Sequence, residues 1–542
     1  MSTDTPGPGA PVANPALAEA GPVSKGVGPT VRRFSSILFP DSGDAGEDAT
    51  PGEPPSFRDL NLDQVVAAVT APFAEYSLAP LFYQSLDDPD TVAYRQEVFR
   101  DLERAEVLGV VKAFAQRMRS MRERLARAAK ARCRHEGQRW FLAAVESYVE
   151  AARTLAHDLP GLAPASRGLR ALCVWLGEHV ETPRFKTLAD RAARLAADLA
   201  AIRYGLLLEG NAVTVRPYGG EPDYSAAVER TFEKFRRGAV GDYRSKLASS
   251  PELNHVEAQI LDRVALLFPE VFGALDAFCQ QHEDFPDPTL ARFDREIHFY
   301  VAYLSHIGAL RAAGLSLCYP KLSTASKEVR VRAAFDIALA SELVKSDSPV
   351  VCNDVVLAGR ERILVVSGPN QGGKTTFARM FGQLHVLAAL GLPVPGKEAR
   401  LFLCDSVLTH FEREEKVANL RGKLHDDLVR IRQVLAAATP ASVVILNEIF
   451  SSTTLQDAVF LSRKVLKRLS DLDALAVCVT FLAELAAFDY TTVSMTSMVD
   501  PADPSIRTFK VERRPADGLA HALAIAEKYR VTYAWLKERL GP

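Results

Sequence analysis

The chain has 542 residues, a formal net charge of −2, 48% hydrophobic residues and 24% charged residues. These values are typical of a folded globular protein of about two to four domains. The near-neutral charge excludes a basic field over the whole molecule, so any nucleic-acid surface would have to be a local patch. The seven cysteines form no CxxC pair, and their odd number excludes a fully paired disulfide framework.

The sequence carries no signal for export or membrane insertion. Its first residues, MSTDTPGPGA, have neither the basic region nor the apolar core of a secretory signal. No stretch of about 18 apolar residues is long enough to span a membrane. We therefore expect a cytoplasmic protein with no membrane partner and with reduced thiols.

The composition changes along the chain. Residues 1–55 are rich in Pro, Gly, Ala and Asp, and we expect a disordered tail because such a segment buries little apolar surface. Residues 56–335 are predicted to be mostly helical, since apolar residues recur at spacings of three and four. Within them, residues 203–216 form two short apolar runs around Gly210-Asn211, which predicts a β-hairpin.

From residue 336 to residue 542 the pattern is different. Short β-rich runs such as RILVVSG, SVVILNE and LAVCVTF alternate with helical segments. This alternation is typical of an α/β domain with a mostly parallel sheet. The sequence therefore predicts a helical region followed by a carboxyl-terminal α/β domain.

A phosphate-binding loop begins this α/β pattern. A buried strand at 362–367 leads into residues 368–375, which match GxxxxGK[ST], and a helix follows. Backbone N–H groups of such a loop bind phosphates, its lysine reaches the β- and γ-phosphates and its Ser or Thr ligates Mg²⁺. The predicted ATP-binding residues are Gly368, Pro369, Asn370, Gln371, Gly372, Gly373, Lys374, Thr375 and Thr376.

A second strand, VVILNE at 443–448, supplies the remaining chemistry. Glu448 is the candidate catalytic residue, placed to orient or deprotonate the attacking water. Asn447 stands where a metal-holding Asp is usual. We expect Thr375 and Asn447 to hold Mg²⁺, with weaker affinity than a carboxylate would give.

These motifs resemble those of the MutS family of DNA mismatch-repair ATPases. Asn353-Asp354-Val355 followed by GPNQGGKTT is similar to the family's PND and GPNMGGKST run. NEIFSSTTLQD at 447–457 resembles DEIGRGTSTYDG, VTFLAEL at 479–485 resembles ATHYFEL, and DGLAHALAIAEKYRV at 517–531 resembles a carboxyl-terminal helix of the family. More loosely, residues 86–99 resemble the start of the family's helical core.

The resemblance implies an ABC-type ATPase domain preceded by a helical core and lever. It also implies a homodimer whose ATPase domains pair head to tail and use ATP to switch their grip on DNA. Residues 451–454 would lie at that interface, Asp427 would occupy an acidic family position, and helices at 517–541 would brace the dimer. DNA mismatch repair is the implied pathway.

Several positions depart from the family pattern. Asn447 replaces an Asp, Phe450 and Ser452 replace glycines, and Phe481 replaces a histidine. Because Phe cannot donate a hydrogen bond to a γ-phosphate, these changes predict slow hydrolysis. We also expect no separate mismatch-recognition domain before residue 56, and we interpret Phe73-Ala74-Glu75 as ordinary helix rather than a DNA wedge.

Alternative functions remain open at this point. One alternative is an ATP-gated protein that binds RNA or a protein partner, and another is a nucleotide-binding scaffold without turnover. Two basic clusters are candidates for DNA contact, although interspersed glutamates favour solvated, ion-paired helix faces. These clusters are Arg117, Arg119, Arg122, Arg124, Arg127 and Lys130, and Lys234, Arg236, Arg237 and Arg244.

Overall fold

In the computed structural model, all described residues belong to one unit, Phe34–Pro542. None of the described helices is long and apolar enough to cross a membrane. The described residues are 34–40, 51–210, 212–220, 253–412, 422–503, 506–516 and 532–540.

The first part of the described chain is helical, as the apolar periodicity predicted. Helix α4, Ala105–Lys130, buries Val107, Val111 and Phe114, which are spaced by four and three positions. Helix α3 begins at Pro89, where the Asp88 side chain accepts hydrogen bonds from the next free backbone N–H groups. The helices are α1 Ser56–Asp59, α2 Leu62–Thr70, α3 Pro89–Leu102, α4 Ala105–Lys130, α5 Arg134–Gly161, α6 Arg167–Glu181, α7 Pro183–Ala201, α8 His255–Leu267, α9 Pro269–Gln281 and α10 Pro288–Ala312, with 3-10 turns at Ala71–Tyr76 and Ala79–Phe82.

The predicted β-hairpin lies between α7 and α8 and is confirmed. Strands β1, Tyr204–Glu209, and β2, Ala212–Pro217, are antiparallel, and Glu209 faces Ala212 across the turn. The two-residue connection agrees with the Gly-Asn signal. Asn211 itself lies outside the described residues.

Residues 34–40 correct the prediction that the first 55 residues form a disordered tail. Phe34, Ile37, Leu38 and Phe39 are buried in the main hydrophobic core. The prediction was wrong for this segment because the composition of the whole tail obscured a short apolar run, FSSILFP. Residues 1–33 and 41–50 of the predicted tail lie outside the described residues.

Polar groups in the core hold this segment, which we call the amino-terminal strap (residues 34–40). The Glu296 carboxylate accepts hydrogen bonds from the Ser36 hydroxyl at 2.7 Å and from the Ile37 N–H at 2.9 Å. The fully buried Arg95 donates to the Leu38 carbonyl at 3.2 Å. Buried backbone groups need such partners, so the strap is built into the core.

The second half of the described chain is α/β. The main sheet has the order β10-β11-β12-β7-β13-β14, in which all neighbours are parallel except β13 and β14. A smaller sheet has the order β4-β9-β5-β6, and β3 pairs with β8. The strands are β3 Leu317–Cys318, β4 Lys321–Ser323, β5 Val329–Ala334, β6 Asn353–Leu357, β7 Ile363–Ser367, β8 Val394–Pro395, β9 Glu398–Phe402, β10 Val407–His410, β11 Val443–Asn447, β12 Leu475–Val479, β13 Thr492–Val499 and β14 Arg507–Arg513.

Helices cover both faces of the main sheet. Leu364 and Val366 of β7 belong to the main core, whereas Ile363 and Val365 belong to a second core on the opposite face. Alternation of side chains along a strand produces this division. The helices of this half are α11 Ile337–Lys345, α12 Lys374–Ala389, α13 Lys423–Ala437, α14 Leu455–Asp471 and α15 Tyr533–Leu540, with a 3-10 turn at Ala483–Leu485.

The predicted boundary between residues 335 and 336 needs a correction. It falls inside the smaller sheet, because β4 and β5 precede the boundary while β6 and β9 follow it. Strand β5 pairs with both β6 and β9. The α/β half therefore begins near β3, and sequence periodicity missed this because β3 and β4 have only two and three residues.

Helix α12 joins the main sheet to the helical half. A Cβ atom on Gly382 would lie 2.6 Å from the Leu60 side chain, so the helix and the α1–α2 turn are in close contact. The Gln383 amide donates to the Leu60 carbonyl at 2.9 Å and to the Asp336 carboxylate at 2.7 Å. The helix that follows the phosphate loop is thus fixed to the preceding helical region.

We predict that shortening the buried side chain of the strap destabilises the whole unit. Ile37 is 0% exposed, and Ile37→Ala should lower the free energy of unfolding by about 2–5 kcal/mol through lost burial and the cavity left behind. Urea unfolding followed by circular dichroism measures this change. Val174→Ala, at a position 50% exposed, is the control and should change it by less than about 0.5 kcal/mol. Equal, small effects for both variants would show that the strap does not belong to the cooperative core.

Candidate functional site

The phosphate loop lies between β7 and α12. All five residues of β7 are buried, and the loop leaves the carboxyl end of this strand in the middle of the sheet. Gly368 has φ of 116°, a conformation that side chains rarely adopt. There is no space for a side chain at Gly372, because a Cβ there would lie 2.2 Å from the Ser497 hydroxyl. The sequence motif therefore adopts the strand, loop and helix arrangement that it predicted.

Lys374 is the first residue of α12, and its side chain contacts the preceding loop. Its ammonium group donates to the carbonyls of Gly368 and Pro369, each at 3.0 Å, and to the Asn370 side-chain oxygen at 3.3 Å. Burial lowers the pKa of Lys374, while the Glu448 carboxylate counteracts that shift. The loop thus encloses a largely buried cation at the amino-terminal end of a helix, an arrangement that attracts anions.

The two candidate metal ligands are in direct contact. The Thr375 hydroxyl donates to the Asn447 side-chain oxygen at 3.0 Å. Asn447 ends β11 and pairs in register with Val479 of β12, which in turn pairs with Val366 of β7. The strands therefore end at the same edge of the sheet and bring Thr375 and Asn447 together. Hydroxyl and amide oxygens suit Mg²⁺, although neither carries the negative charge of a carboxylate.

Glu448 follows Asn447 at the carboxyl end of β11. Its N–H donates to the Val479 carbonyl at 2.9 Å, and its φ is 52°. Two residues later, Phe450 has φ of 59° and is buried in the second core. Positive φ angles in non-glycine residues are strained and persist where surrounding contacts hold them. The loop after β11 is thus held in a defined conformation, with the Glu448 side chain partly exposed.

The structure also shows the surroundings of the positions that the family resemblance singled out. Phe481, at the position of the family histidine, is 53% exposed. Thr454 caps α14 and exchanges hydrogen bonds with Asp457. Asp427 lies 3.5 Å from the buried His410 ring, and burial raises the Asp427 pKa. Residues 517–531 of the last motif lie outside the described residues.

The basic side chains proposed for DNA contact on α4 are largely engaged within the chain. Arg117 donates to Glu150 at 3.0 Å, and Arg124 donates to the Ala143 carbonyl at 2.8 Å. Ion pairs also join Arg119 to Glu75 and Arg122 to Asp294, and Arg127 lies over the Trp140 ring. The second cluster, Lys234, Arg236, Arg237 and Arg244, lies outside the described residues.

Three polar side chains outside residues 368–376 contact the site or its support, and the sequence motifs missed two of them, Ser497 and Arg507. The Ser497 hydroxyl donates to the Gly372 carbonyl at 2.6 Å, and Arg507 donates to the Asn370 carbonyl at 3.3 Å. The Asn353 amide connects β6 to β14 through Phe509 and Val511. Asn353 stands in the family-like run before the loop, so the resemblance marked it. Ser497 and Arg507 belong to no motif, and no sequence signal identified them.

The comparisons with known proteins agree with this geometry. Residues 364–527 match the family model described as MutS domain V. This range begins in β7 and includes the phosphate loop, Asn447 and Glu448. The matched segment therefore contains the residues whose arrangement is described above.

Curated relatives match less than one third of the chain, at 30%, 32% and 23% for three of them. The chain is 30% identical over 169 residues to the DNA mismatch repair protein MutS of Zymomonas mobilis subsp. mobilis, which covers 30% of this chain and 19% of that protein. It is 31% identical over 177 residues to the MutS protein of Synechococcus sp. (strain CC9902), covering 32% and 19%, respectively. It is 32% identical over 127 residues to the DNA mismatch repair protein MutS 2 of Halobacterium salinarum, covering 23% and 15%.

These alignments span less than one fifth of the length of the relatives, at 19%, 19% and 15%. The family model matches one segment, residues 364–527, which has the P-loop arrangement and follows a helical region. Residues 364–527 of this chain are therefore similar to MutS domain V.

Proposed function

We propose that this protein is an ATP-dependent DNA-binding protein of the MutS mismatch-repair type. In this proposal its ABC-type ATPase domain binds Mg²⁺-ATP, and a homodimer uses binding and slow hydrolysis to switch its grip on DNA. The observation that supports it best is the contact between Thr375 and Asn447 beside the enclosed Lys374. Its cytoplasmic location stays a prediction.

Each loop residue has a proposed role. Backbone N–H groups of the loop and the amino terminus of α12 bind the phosphates, because the helix end carries unpaired donors and positive potential. Lys374 neutralises the β- and γ-phosphates. The residues assigned to ATP are Gly368, Pro369, Asn370, Gln371, Gly372, Gly373, Lys374, Thr375 and Thr376.

The proposed metal site uses Thr375 and Asn447. When bound there, Mg²⁺ would supply positive charge that offsets the negative charge of the phosphates. Glu448 is the proposed catalytic base, since it lies partly exposed directly after Asn447 and close enough to Lys374 to affect its pKa. Phe481 supplies no hydrogen-bond donor to a γ-phosphate, which supports slow turnover.

A homodimer would complete the site in this proposal. Head-to-tail pairing would place residues 451–454 of one subunit against the nucleotide of the other. The exposed side chain of Leu455, at 60%, follows this segment directly. A single exposed apolar side chain is common on protein surfaces, so the dimer in this proposal rests on the family resemblance.

A second candidate function is an ATP-gated protein that binds RNA or a protein. The ion pairs of Arg117, Arg119 and Arg122 favour the protein partner, because they reduce the cationic surface that α4 would offer to the phosphates of either nucleic acid. Nucleic-acid preference and its salt dependence distinguish the two candidates.

We expect DNA to alter ATP hydrolysis by the purified protein. Steady-state hydrolysis should be measured alone and with plain, mismatched and branched duplex DNA, with single-stranded RNA as a comparison. The MutS-type proposal expects a changed rate with at least one DNA and weaker binding as salt rises. A hydrolysis rate that no DNA changes but that RNA does change would contradict the MutS-type proposal and favour the second candidate.

We expect Glu448→Gln to stop turnover while ATP still binds. The amide has nearly the same shape but cannot accept the proton of the attacking water, so kcat should fall about 10²-fold or more. Rapid-quench hydrolysis and equilibrium ATP binding measure the two effects. Glu512→Gln is the control, since Glu512 is on β14 and pairs with Arg514. Wild-type turnover by Glu448→Gln would exclude Glu448 as the base.

We expect Asn447→Asp to strengthen Mg²⁺ binding in the presence of ATP. The carboxylate adds a negative charge beside the Thr375 hydroxyl, and the Mg²⁺ concentration for half-maximal binding should fall about tenfold, equivalent to about 1.4 kcal/mol. Titration of Mg²⁺ with a fluorescent ATP analogue provides the measurement. An unchanged midpoint would contradict the assignment of residue 447 as a metal ligand.

A further inference from the structure

Two side chains from the β13–β14 hairpin bind outward-facing carbonyls of the phosphate loop. The Ser497 hydroxyl donates to the Gly372 carbonyl at 2.6 Å. The Arg507 Nε donates to the Asn370 carbonyl at 3.3 Å. Both carbonyls belong to the stretch of loop between the β7 strand and the Lys374 helix.

Because of the geometry of the peptide bond, these contacts also fix the direction of two backbone N–H groups. A trans peptide is planar, and its C=O and N–H point in opposite directions. The Asn370 carbonyl shares a peptide plane with the Gln371 N–H, and the Gly372 carbonyl shares one with the Gly373 N–H. Holding each carbonyl against the hairpin therefore aims the paired N–H away from the hairpin. Successive N–H groups aimed in this way form an anion-binding concavity.

The hairpin is itself fixed against the loop. Strand β13 is parallel to β7 and in register up to Thr496 opposite Ser367, so Ser497 comes level with the start of the loop. Ser497 is 2% exposed, and a Cβ on Gly368 would lie 2.9 Å from its carbonyl oxygen. A rigid supporting group of this kind holds a binding site in position before the ligand arrives.

Strand β14 is held by a separate contact. The Asn353 side chain donates to the Phe509 carbonyl at 3.2 Å and accepts from the Val511 N–H at 2.8 Å. Arg507 begins this strand and faces Val499 of β13. The position of Arg507 is therefore set by β13, which pairs with β14, and by β6, which carries Asn353.

Two cations meet at Asn370. Lys374 donates to the Asn370 side chain at 3.3 Å, and Arg507 donates to its backbone carbonyl. The positive charge of Arg507 also contributes to the lowered pKa of Lys374, which indicates that the two charges interact. An additional positive charge at this end of the loop favours ligands of greater negative charge.

We propose that Ser497 and Arg507 are positioning residues that aim the Gln371 and Gly373 N–H groups at the phosphates of a nucleotide. Arg507 in addition makes the loop prefer a nucleoside triphosphate over the diphosphate. The inference rests on the proposed function, in which the loop binds ATP. It assigns roles to residues that lie outside the motif.

Ser497→Ala tests the first part, with nucleotide binding measured by titration of fluorescent ADP and ATP analogues. Removing the donor should raise the Kd for both about five- to tenfold, as expected for one hydrogen bond. The melting temperature should stay close to wild type. Ser494→Ala is the matched control, because Ser494 lies on the same strand and its hydroxyl makes no hydrogen bond within the described part of the chain.

Arg507→Gln and Arg507→Lys test the second part. Arg507→Gln should raise the Kd for ATP about tenfold more than the Kd for ADP, because one positive charge is lost. Arg507→Lys keeps the charge and should restore most of the preference. Arg513→Gln is the control, since Arg513 is on the same strand and pairs with Glu361.

The outcomes separate this inference from the function on which it rests. Wild-type protein that binds neither nucleotide overturns the proposed function and this inference with it. Wild-type protein that binds both, with Ser497→Ala and Arg507→Gln indistinguishable from their controls, overturns this inference alone. Variants that lose ADP and ATP equally and melt at lower temperature show a structural role only, which also overturns it. Selective loss of ATP by Arg507→Gln, with rescue by Lys, supports it.

Discussion

The connection on which the rest of the structure depends is made by Gln383, a buried residue in the middle of α12. Its side chain donates to Leu60 and Asp336 and accepts from the Ile337 N–H at 2.9 Å. An unpaired amide in this position would destabilise the fold, because burial removes its hydrogen bonds to water and no protein hydrogen bonds would replace them. One residue therefore fixes the helix of the phosphate loop to the helical half and to the smaller sheet.

This connection has a mechanical consequence. Helix α12 begins at Lys374 inside the loop and is buried along nearly its whole length. Close-packed interiors are not compressible, so a shift of the helix on nucleotide binding cannot be absorbed locally. The α1–α2 turn and the strand β5 to α11 connection are the parts that would move with it. This packing is a physical route between the phosphate loop and the helical region, and the proposed ATP-driven change of grip would require such a route.

The chemistry of the site combines strong and weak elements. In the proposed function, the enclosed Lys374 and the tightly supported loop would favour nucleotide binding, whereas the neutral Asn447 and the exposed, apolar Phe481 would slow hydrolysis. Phe450 carries a positive φ where the family pattern has a glycine, and its buried ring supplies the contacts that hold this strained conformation. The loop itself differs from the family run GPNMGGKST only at Gln371 and Thr375.

The sequence by itself determined the parts of this protein that depend on local pattern. Helical periodicity, the hairpin turn at Gly210 and the spacing of GPNQGGKT depend on neighbouring residues, so they could be predicted without a fold. Composition failed for residues 34–40, because an apolar run of seven residues has no preferred partner until Glu296 and Arg95 surround it. Only the tertiary structure placed Ser497 and Arg507 against the loop. Their contacts join residues 125 and 137 positions apart in sequence, and strand pairing, which no local pattern specifies, brings them together.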